Sequence, residues 1–555
     1  MSSPNAYWPA HLPRRLPRLE TTLAFNLRVS AARHPSHRAI GFYGHDLDWR
    51  TVEEEVEAFA GWLRHQAGLR RGDRVLLFLQ NCPQYVIAYY AALRADCVVV
   101  PVNPMTRASE LRHLLSDSGA AAAVVAQDLA PVLREAAQGA LRVAVVAYSD
   151  YLPAAPDYDL PDWLREPARA IEDATPWRDA LAAGHRAPPP EATPDDLALL
   201  PYTSGSTGLP KGCEHPHRTF QHTAAGCALW HGQSAATVTL GLPPMYQVAG
   251  LNQCLHLPVL TGGTILPMPR WDPRLALQLI ERYGVTHLPI APTACIDLLT
   301  QPDLAERDLG TLRRVTAGGA AMPQEVWRRL REATGLPFIE AYGMTEAAAT
   351  THLNPIERPK AQCLGIPFFE TEVLVVDPET LEPQRQGEAG EILISGPQLL
   401  RRYWGRPEAT AEAIVEIDGR RWYRSGDIGH VDEEGYFFMT DRLKRMINAA
   451  GFKVWPAEVE TRLYEHPHIL EACVIGVPDA RRGETVKAVV TLRPGSTGQL
   501  DAAQLIEWAR PRMAAYKIPR EVEIVPALPK SAVGKILWRE LQERERAKAL
   551  AESAA

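Results

Sequence analysis

The sequence predicts an α/β protein, with a large N-terminal domain of parallel α/β sheets carrying a small β-rich layer, and a small α+β C-terminal domain. Three observations carry that prediction. The chain has 555 residues, more than one hydrophobic core organises, so two or more domains are expected. Helical patterns alternate with short apolar runs along most of it, the βαβ rhythm of a parallel sheet covered on both faces. A charged break at Asp441-Arg442-Leu443-Lys444-Arg445 leaves about 110 residues behind it, enough for a small independent domain. The expected division is therefore residues 1–441 and 442–555.

The elements follow in order. Val52 to Leu69 has apolar residues at helical spacing, Arg74 to Leu79 reads as a strand and Tyr85 to Arg94 as a helix. Val98 to Val102 is a second strand, and Arg107 to Ser118 is a helix that opens on Ser109-Glu110. From Asp150 to Pro194 the rhythm lapses. Prolines at 153, 156, 161, 167, 176, 188, 189, 190 and 194 mix with acids, which predicts a long surface connection. Leu197 to Leu200 is a short buried strand, and alternation resumes through Leu312 to Ile339. From Thr371 to Phe438 come short strands between Gly- and Pro-marked turns: Leu374-Val375-Val376, Glu391-Ile392-Leu393-Ile394 and Gly435-Tyr436-Phe437-Phe438. These form the β-rich layer. A new βαβ pattern follows Arg445, and Glu540 to Ala555 reads as a fraying helix.

Composition narrows the function. Hydrophobic content of 46% and charged content of 23% are those of a soluble globular protein. A net charge of −7, from 59 basic and 66 acidic residues, argues against nucleic acid as a partner. None of the 8 cysteines stands in a Cys-x-x-Cys pair, and most lie in apolar runs, which suits buried thiols in a reducing cytoplasm. Met1 to Glu20 lacks the apolar core of a signal peptide. Gly232 to Pro269 contains no Asp, Glu, Lys or Arg, yet Pro243-Pro244, Gly250, Pro258 and Gly262-Gly263 would break a spanning helix. No transmembrane segment is expected, and the stretch becomes a candidate apolar pocket. Cys213, His215, His217 and His222 match no common zinc spacing, so local packing is the expectation there.

The chemistry begins after Leu200, in Tyr202-Thr203-Ser204-Gly205-Ser206-Thr207-Gly208-Leu209-Pro210-Lys211-Gly212. Glycines bring amide N–H groups close to an anion, Ser and Thr hydroxyls donate further bonds, and Lys adds a point charge. That combination is a phosphate cradle. It is not the Walker loop, because Gly212 stands where a Ser or Thr would hold magnesium. Four further motifs join it: Ala341-Tyr342-Gly343-Met344-Thr345-Glu346, placed after a strand at Pro337 to Ile339; Trp422-Tyr423-Arg424-Ser425-Gly426-Asp427, placed before a turn; Asp441-Arg442-Leu443-Lys444; and Pro529-Lys530-Ser531-Ala532-Val533-Gly534-Lys535.

In identity, order and spacing, these five motifs resemble the adenylate-forming superfamily of acyl- and aryl-CoA synthetases, peptide-synthetase adenylation domains and beetle luciferases. The resemblance runs from about Thr21 to Leu541. It implies ATP, Mg²⁺ and coenzyme A, with a carboxylate attacking the α-phosphate and a thiol then attacking the acyl-adenylate. A carboxylic acid has a pKa of about 4–5 and is already ionised, so catalysis falls to cations and donors around the phosphates rather than to a general base. By resemblance, Thr203, Ser204, Ser206, Thr207 and Lys211 contact the outer phosphates across Gly205 and Gly208. Thr203 and Glu346 hold Mg²⁺, a hard cation that prefers oxygen. Tyr342 stacks on adenine beside Gly343 and Met344, Thr345 reaches the α-phosphate, Asp427 accepts from the ribose, and Arg442 contacts the nucleotide. Lys535 is the adenylation lysine; with Lys211, Thr345 and Glu346 it makes up the catalytic set. The resemblance also implies that the C-terminal domain moves about a hinge at Lys444, and that Gly451 and Phe452 then face the adenylate and the coenzyme A thiol. Dimers are common in that superfamily, so a homodimer is a candidate state.

The acyl pocket is where the resemblance is weakest. Tyr246-Gln247 replaces the aromatic-His pair of many CoA ligases, and Gln cannot titrate. Gly318-Gly319-Ala320, Ala341 and Ala347 to Ala349 are small and leave room for a bulky group. These residues favour an apolar medium- or long-chain fatty acid, with a coumarate- or benzoate-type aryl acid as the alternative. An acyl-AMP ligase for a carrier protein, a luciferase-like oxygenase and a non-catalytic scaffold rank below both.

Overall fold

The computed structural model describes residues 7–137, 139, 141–203, 209–318, 322–449, 452–479, 483–496, 498–530 and 536–554. The chain forms two compact units, Met1–Glu372 with Ile394–Tyr423, and Val373–Leu393 with Arg424–Ala555.

Among the described residues the first unit holds a seven-stranded and a nine-stranded sheet. The smaller runs Ala174–Pro176, Arg142–Val146, Ala122–Ala126, Arg74–Phe78, Val98–Pro101, Leu197–Leu199, His215–Pro216, parallel until the last pair. Val98, Val99 and Val100 are all buried, which is why the run is continuously apolar rather than alternating. Pro83–Arg94, the helix leading to that strand, is buried from Pro83 to Leu93, with Tyr85, Tyr89 and Tyr90 fully enclosed. Trp49–His65 instead buries one stripe, Val52, Val56, Phe59 and Leu63, and starts where Asp48 accepts from Thr51 N at 2.8 Å.

The larger sheet is parallel from Phe338–Tyr342 through Arg314–Gly318, His287–Pro289, Val238–Gly241 and Thr264–Pro267 to Arg38–Phe42, and antiparallel at both edges. The uncharged stretch supplies two of these strands and the helical run Val248–Thr261 between them, so it is protein interior as expected. Its middle, Leu251–His256, is a π-helix, a form often found at functional sites and one with no sequence signal here.

The stretch Asp150 to Pro194 departs from its expectation as a surface connection. It contains Asp162–Arg165, the edge strand Ala174–Pro176 and the helix Trp177–Ala182. Trp177 is fully buried, with its indole N–H donating to Tyr151 Oη at 3.0 Å. The prolines fixed the turns, and the aromatic anchors between them carried the packing.

The division between units falls among the strands of the β-rich layer. In the first unit Ile414–Ile417 pairs antiparallel with the opening of Arg420–Val431. In the second, the remainder of Arg420–Val431 pairs with Phe437–Arg442. Trp422 to Asp427 is therefore inside a strand and not before a turn. Gly426, at φ 66°, and a register shift at Ile428/Gly429 break the pleat within and just after the motif, where the sequence predicts a turn to follow. The charged break at Asp441 is likewise not all linker: strand continues to Arg442, and Leu443–Arg445 is a single 3₁₀ turn.

The second unit also contains a five-stranded sheet in the order Phe452–Val454, Ile447–Ala449, Gly483–Leu492, Ile469–Asp479, with Glu521–Ile524 parallel to Gly483–Leu492. Lys487, 7% exposed, pairs with Glu545 at 2.6 Å and Glu523 at 3.0 Å, which fastens the final helix Trp538–Ala554 to this sheet.

Candidate active site

The phosphate-loop candidate grows out of Leu197–Leu199. Tyr202 and Gly212 form a bridge and Thr203 N donates to Lys211 O at 3.0 Å, so the two ends of the loop are pinned together. Tyr202 Oη donates to Asp117 Oδ2 at 2.8 Å, and Asp117 in turn holds Arg406 and the Trp404 indole. Ser204, Gly205, Ser206, Thr207 and Gly208, the crown of the loop, lie outside the described residues.

The second motif begins within a strand rather than after one, because Phe338–Tyr342 includes Tyr342. Gly318 and Ala341 are register partners across the parallel pair, so these two acyl-site candidates lie side by side next to Tyr342. Gly319 and Ala320 are outside the described residues. After Tyr342 the chain turns back sharply. Ala348 and Ala349 take φ 46° and 91°, costly for non-glycine residues and characteristic of functional turns. That turn sets the Ala349 carbonyl directly over Gly343, where a Cβ would meet its oxygen at 1.3 Å. Only glycine fits. Thr345 is held from below, its carbonyl accepting from His215 Nε2 at 2.8 Å. Burial pushes that imidazole down to about 4.

Glu346 and Lys211 meet on a residue that no motif announced. Tyr403 Oη donates to Glu346 Oε1 at 2.8 Å, and the Lys211 ammonium lies 4.2 Å from the centre of the Tyr403 ring. Tyr423 Oη is 3.1 Å from Tyr403 Oη. Burial, then the Glu346 carboxylate, raises both phenols above their ordinary value. Backbone bonds lace the same segment: Leu400 N donates to Glu346 O at 2.7 Å, Trp404 N to Gly212 O at 2.8 Å, and Cys213 bridges Tyr403. The phosphate loop, the metal-ligand candidate and residues 400–404 thus make one assembly, though they are far apart in sequence. Tyr403 was missed because Arg402-Tyr403-Trp404 carries no periodic or spacing signal.

The remaining candidates are more dispersed. Tyr246 is half-buried and Gln247 exposed, at the start of the helical run from Val248. Among the described residues no hydrogen bond or ring contact joins either to Gly318 or Ala341. In the second unit Asp427, 4% exposed, is the register partner of Arg442 across the antiparallel pair. Leu443–Arg445 is preceded by buried Asp441, which accepts from Ala457 N at 2.7 Å, and ends on Arg445, which pairs with Glu460. The side chains of Arg442, Lys444 and Phe452, and all of Gly451 and Lys535, lie outside the described residues. Among the described residues no group of three or more His, Cys, Asp and Glu is arranged as a metal site, at Cys213 and the histidines after it or elsewhere. His215 and His217 are buried and hydrogen-bonded, as local packing requires.

A hard dication fits the Glu346 environment. One carboxylate oxygen is oriented by Tyr403, and among the described residues Oε2 and the Thr203 hydroxyl make no hydrogen bond, leaving both for a cation that takes oxygen ligands.

A fold of this kind around such a site defines an ATP-binding adenylating enzyme, and the comparisons agree. The AMP-binding enzyme family matches residues 27–404, and the AMP-binding enzyme C-terminal domain matches residues 458–535. The chain belongs to the AMP-binding enzyme family, as its motifs led us to expect. Within it, the chain is similar to a long-chain-fatty-acid–CoA ligase of Bacillus subtilis (strain 168), 36% identical over 97% of both chains. A feruloyl-CoA synthase of an Amycolatopsis species is 35% identical over 93% of this chain and 97% of that one. Among solved structures, ATP-bound MatB from Rhodopseudomonas palustris superposes with a TM-score of 0.81 at 26% identity, covering 95% of this chain and 99% of that one. Among the described residues no helix is long and apolar enough to cross a membrane.

Proposed function

We propose that the protein is an ATP-dependent acid–CoA ligase acting on a medium- or long-chain fatty acid. The observation that supports the reading is the Lys211–Tyr403–Glu346 assembly, in which the Lys211 ammonium lies over the Tyr403 ring, the Tyr403 hydroxyl holds Glu346 Oε1, and among the described residues Glu346 Oε2 makes no hydrogen bond. The acid's carboxylate oxygen bonds to the α-phosphorus of ATP as the bond to pyrophosphate breaks. The coenzyme A sulfur then bonds to the acyl carbon, and AMP leaves. Lys211 and Thr203, with Ser204, Ser206 and Thr207, grip the departing pyrophosphate. Thr345 and Lys535 stabilise charge at the α-phosphate, Tyr342 seats adenine, and Asp427 with Arg442 holds the ribose side. Thr203 and Glu346 would hold Mg²⁺, which when bound neutralises phosphate charge. The unit after the hinge at Lys444, within the division at 441/442, then presents Gly451 and Phe452 to the thiol. The free cysteines Cys82, Cys97, Cys213, Cys227, Cys254, Cys295, Cys363 and Cys473 are all buried, which supports a cytoplasmic setting. A homodimer is part of the proposal only as a family habit.

The named relatives support both acid classes, and an aryl acid is the second reading: the feruloyl-CoA synthase is nearly as similar as the fatty-acid ligase. ATP–pyrophosphate exchange over short, medium, long-chain and aryl acids, repeated for thioester formation with coenzyme A, tests the reading. The expected maximum is on medium or long chains. A maximum on cinnamate-like acids selects the second reading, and no exchange with any acid rejects both.

A further inference from the structure

Tyr403 stands between two opposite charges. On one side its hydroxyl holds Glu346 Oε1 at 2.8 Å, and on the other its ring faces the Lys211 ammonium at 4.2 Å. Among the described residues no ion pair joins Lys211 to Glu346. A phenol has one proton, and Glu346 receives it, so in the 3.1 Å contact it is Tyr423 that donates to Tyr403. The ring cannot swing away. Tyr403 is 3% exposed, its N–H donates to Thr410 Oγ1 at 3.0 Å, and its backbone bridges Cys213.

Lysine and glutamate are long side chains with many rotamers, and left alone in one site they would pair with each other. Each would then have to break that pair before meeting a phosphate or a cation. An aromatic ring face attracts an ammonium without supplying a carboxylate to it, and a phenolic hydroxyl orients one carboxylate oxygen while leaving the other. From this geometry we infer that Tyr403, oriented by Tyr423, is a positioning residue that keeps Lys211 and Glu346 apart and ready for the phosphates and the metal. The inference rests on the proposed roles of Lys211 at the phosphates and Glu346 at Mg²⁺.

The two halves separate by substitution. Tyr403→Phe removes only the hydroxyl, so Glu346 loosens while Lys211 keeps its ring. Tyr403→Leu removes both and lets Lys211 and Glu346 pair. Calorimetric titration of the full-length protein with ATP, in EDTA and across a series of free Mg²⁺ concentrations, reads each half without turnover. For Tyr403→Phe the free Mg²⁺ giving half of the metal-dependent gain in ATP affinity should rise about fivefold, with ATP binding in EDTA within about twofold of the parent. For Tyr403→Leu, ATP binding in EDTA should also weaken about fivefold. Tyr423→Phe, which breaks only the outer bond, should give a smaller shift in the same direction as Tyr403→Phe, and a melting curve for each variant checks the fold. A purely structural role for Tyr403 predicts lower melting temperatures with both binding readouts unmoved, and that result overturns the inference. So does equal ATP binding in EDTA by the Phe and Leu variants. Glu346→Gln serves as the control on the underlying reading: if it leaves the Mg²⁺ requirement unchanged, the metal assignment fails. If it shifts the requirement while Tyr403→Phe does not, only the role of Tyr403 fails.

Discussion

A methyl group added to Gly343 would sit 1.3 Å from the Ala349 carbonyl oxygen, and the strained turn through Ala348 and Ala349 leaves that oxygen no easy retreat. Gly343→Ala should therefore cost about 1–3 kcal/mol or more, the range typical of overpacking, and displace Thr345 and Glu346 with the turn. The expected result is a lower melting temperature together with a loss of pyrophosphate exchange, read on the same preparation. Retention of full exchange would mean that the turn does not position the motif. At the other end of the chain, Lys535→Ala should lower exchange about 10²–10³-fold, the scale set by removing one donor from a developing charge. Transfer from a preformed adenylate to coenzyme A should survive, and a parallel loss of both steps would contradict the proposed role of Lys535.

At the level of elements, much of the α/β alternation could be read directly. Arg74–Phe78, Pro83–Arg94 and Val98–Pro101 follow the predicted elements to within a few residues, because each is apolar enough to be buried on every side. What stayed hidden has a physical cause in each case. The strand Ala174–Pro176 is three residues long, too short to show a period, and it is anchored by Trp177 among prolines. The π-helical turn Leu251–His256 depends on tertiary packing rather than on composition. Tyr403 became part of the site through its bridge to Cys213 and the bond of its neighbour Trp404 N to Gly212 O, and such pairing leaves no mark on the local sequence. The 3₁₀ turn Leu443–Arg445 carries an expectation of its own. Proline at 444 would fix φ and remove an N–H, so Lys444→Pro should spare pyrophosphate exchange and slow thioester formation at least about tenfold. Equal loss of both half-reactions would remove the hinge from the proposal.

Across the whole molecule, buried imidazoles make stability depend on acidity. Burial pushes His215 and His217 down to about 4 and His231, His256 and His352 down to about 3. His217 Nδ1 also accepts the Leu23 N–H at 3.2 Å, a bond that only the unprotonated nitrogen can make. The unfolded chain would protonate these rings near 6.5, so between that value and the folded ones it binds more protons than the native state. The stabilisation is present above pH 6.5 and is lost as pH falls, by up to about 1.4 kcal/mol per pH unit for each ring. Glu55, Asp128 and Glu340, raised by burial, oppose this. The melting temperature should nonetheless drop from pH 7 to pH 5, and a flat profile would mean that the buried imidazoles do not outweigh the buried carboxylates. One further property follows from the order of strands. Arg38–Phe42 is parallel to Thr264–Pro267, with Ile40 opposite Ile265. During synthesis the strand made first must wait until its neighbour, and everything between them, has left the ribosome. Until then the hairpin with His45–Asp48 covers one backbone edge and leaves the other open, and a chain shortened past Asp48 would leave Thr264–Pro267 as an open sheet edge, ready to join the same edge of another molecule.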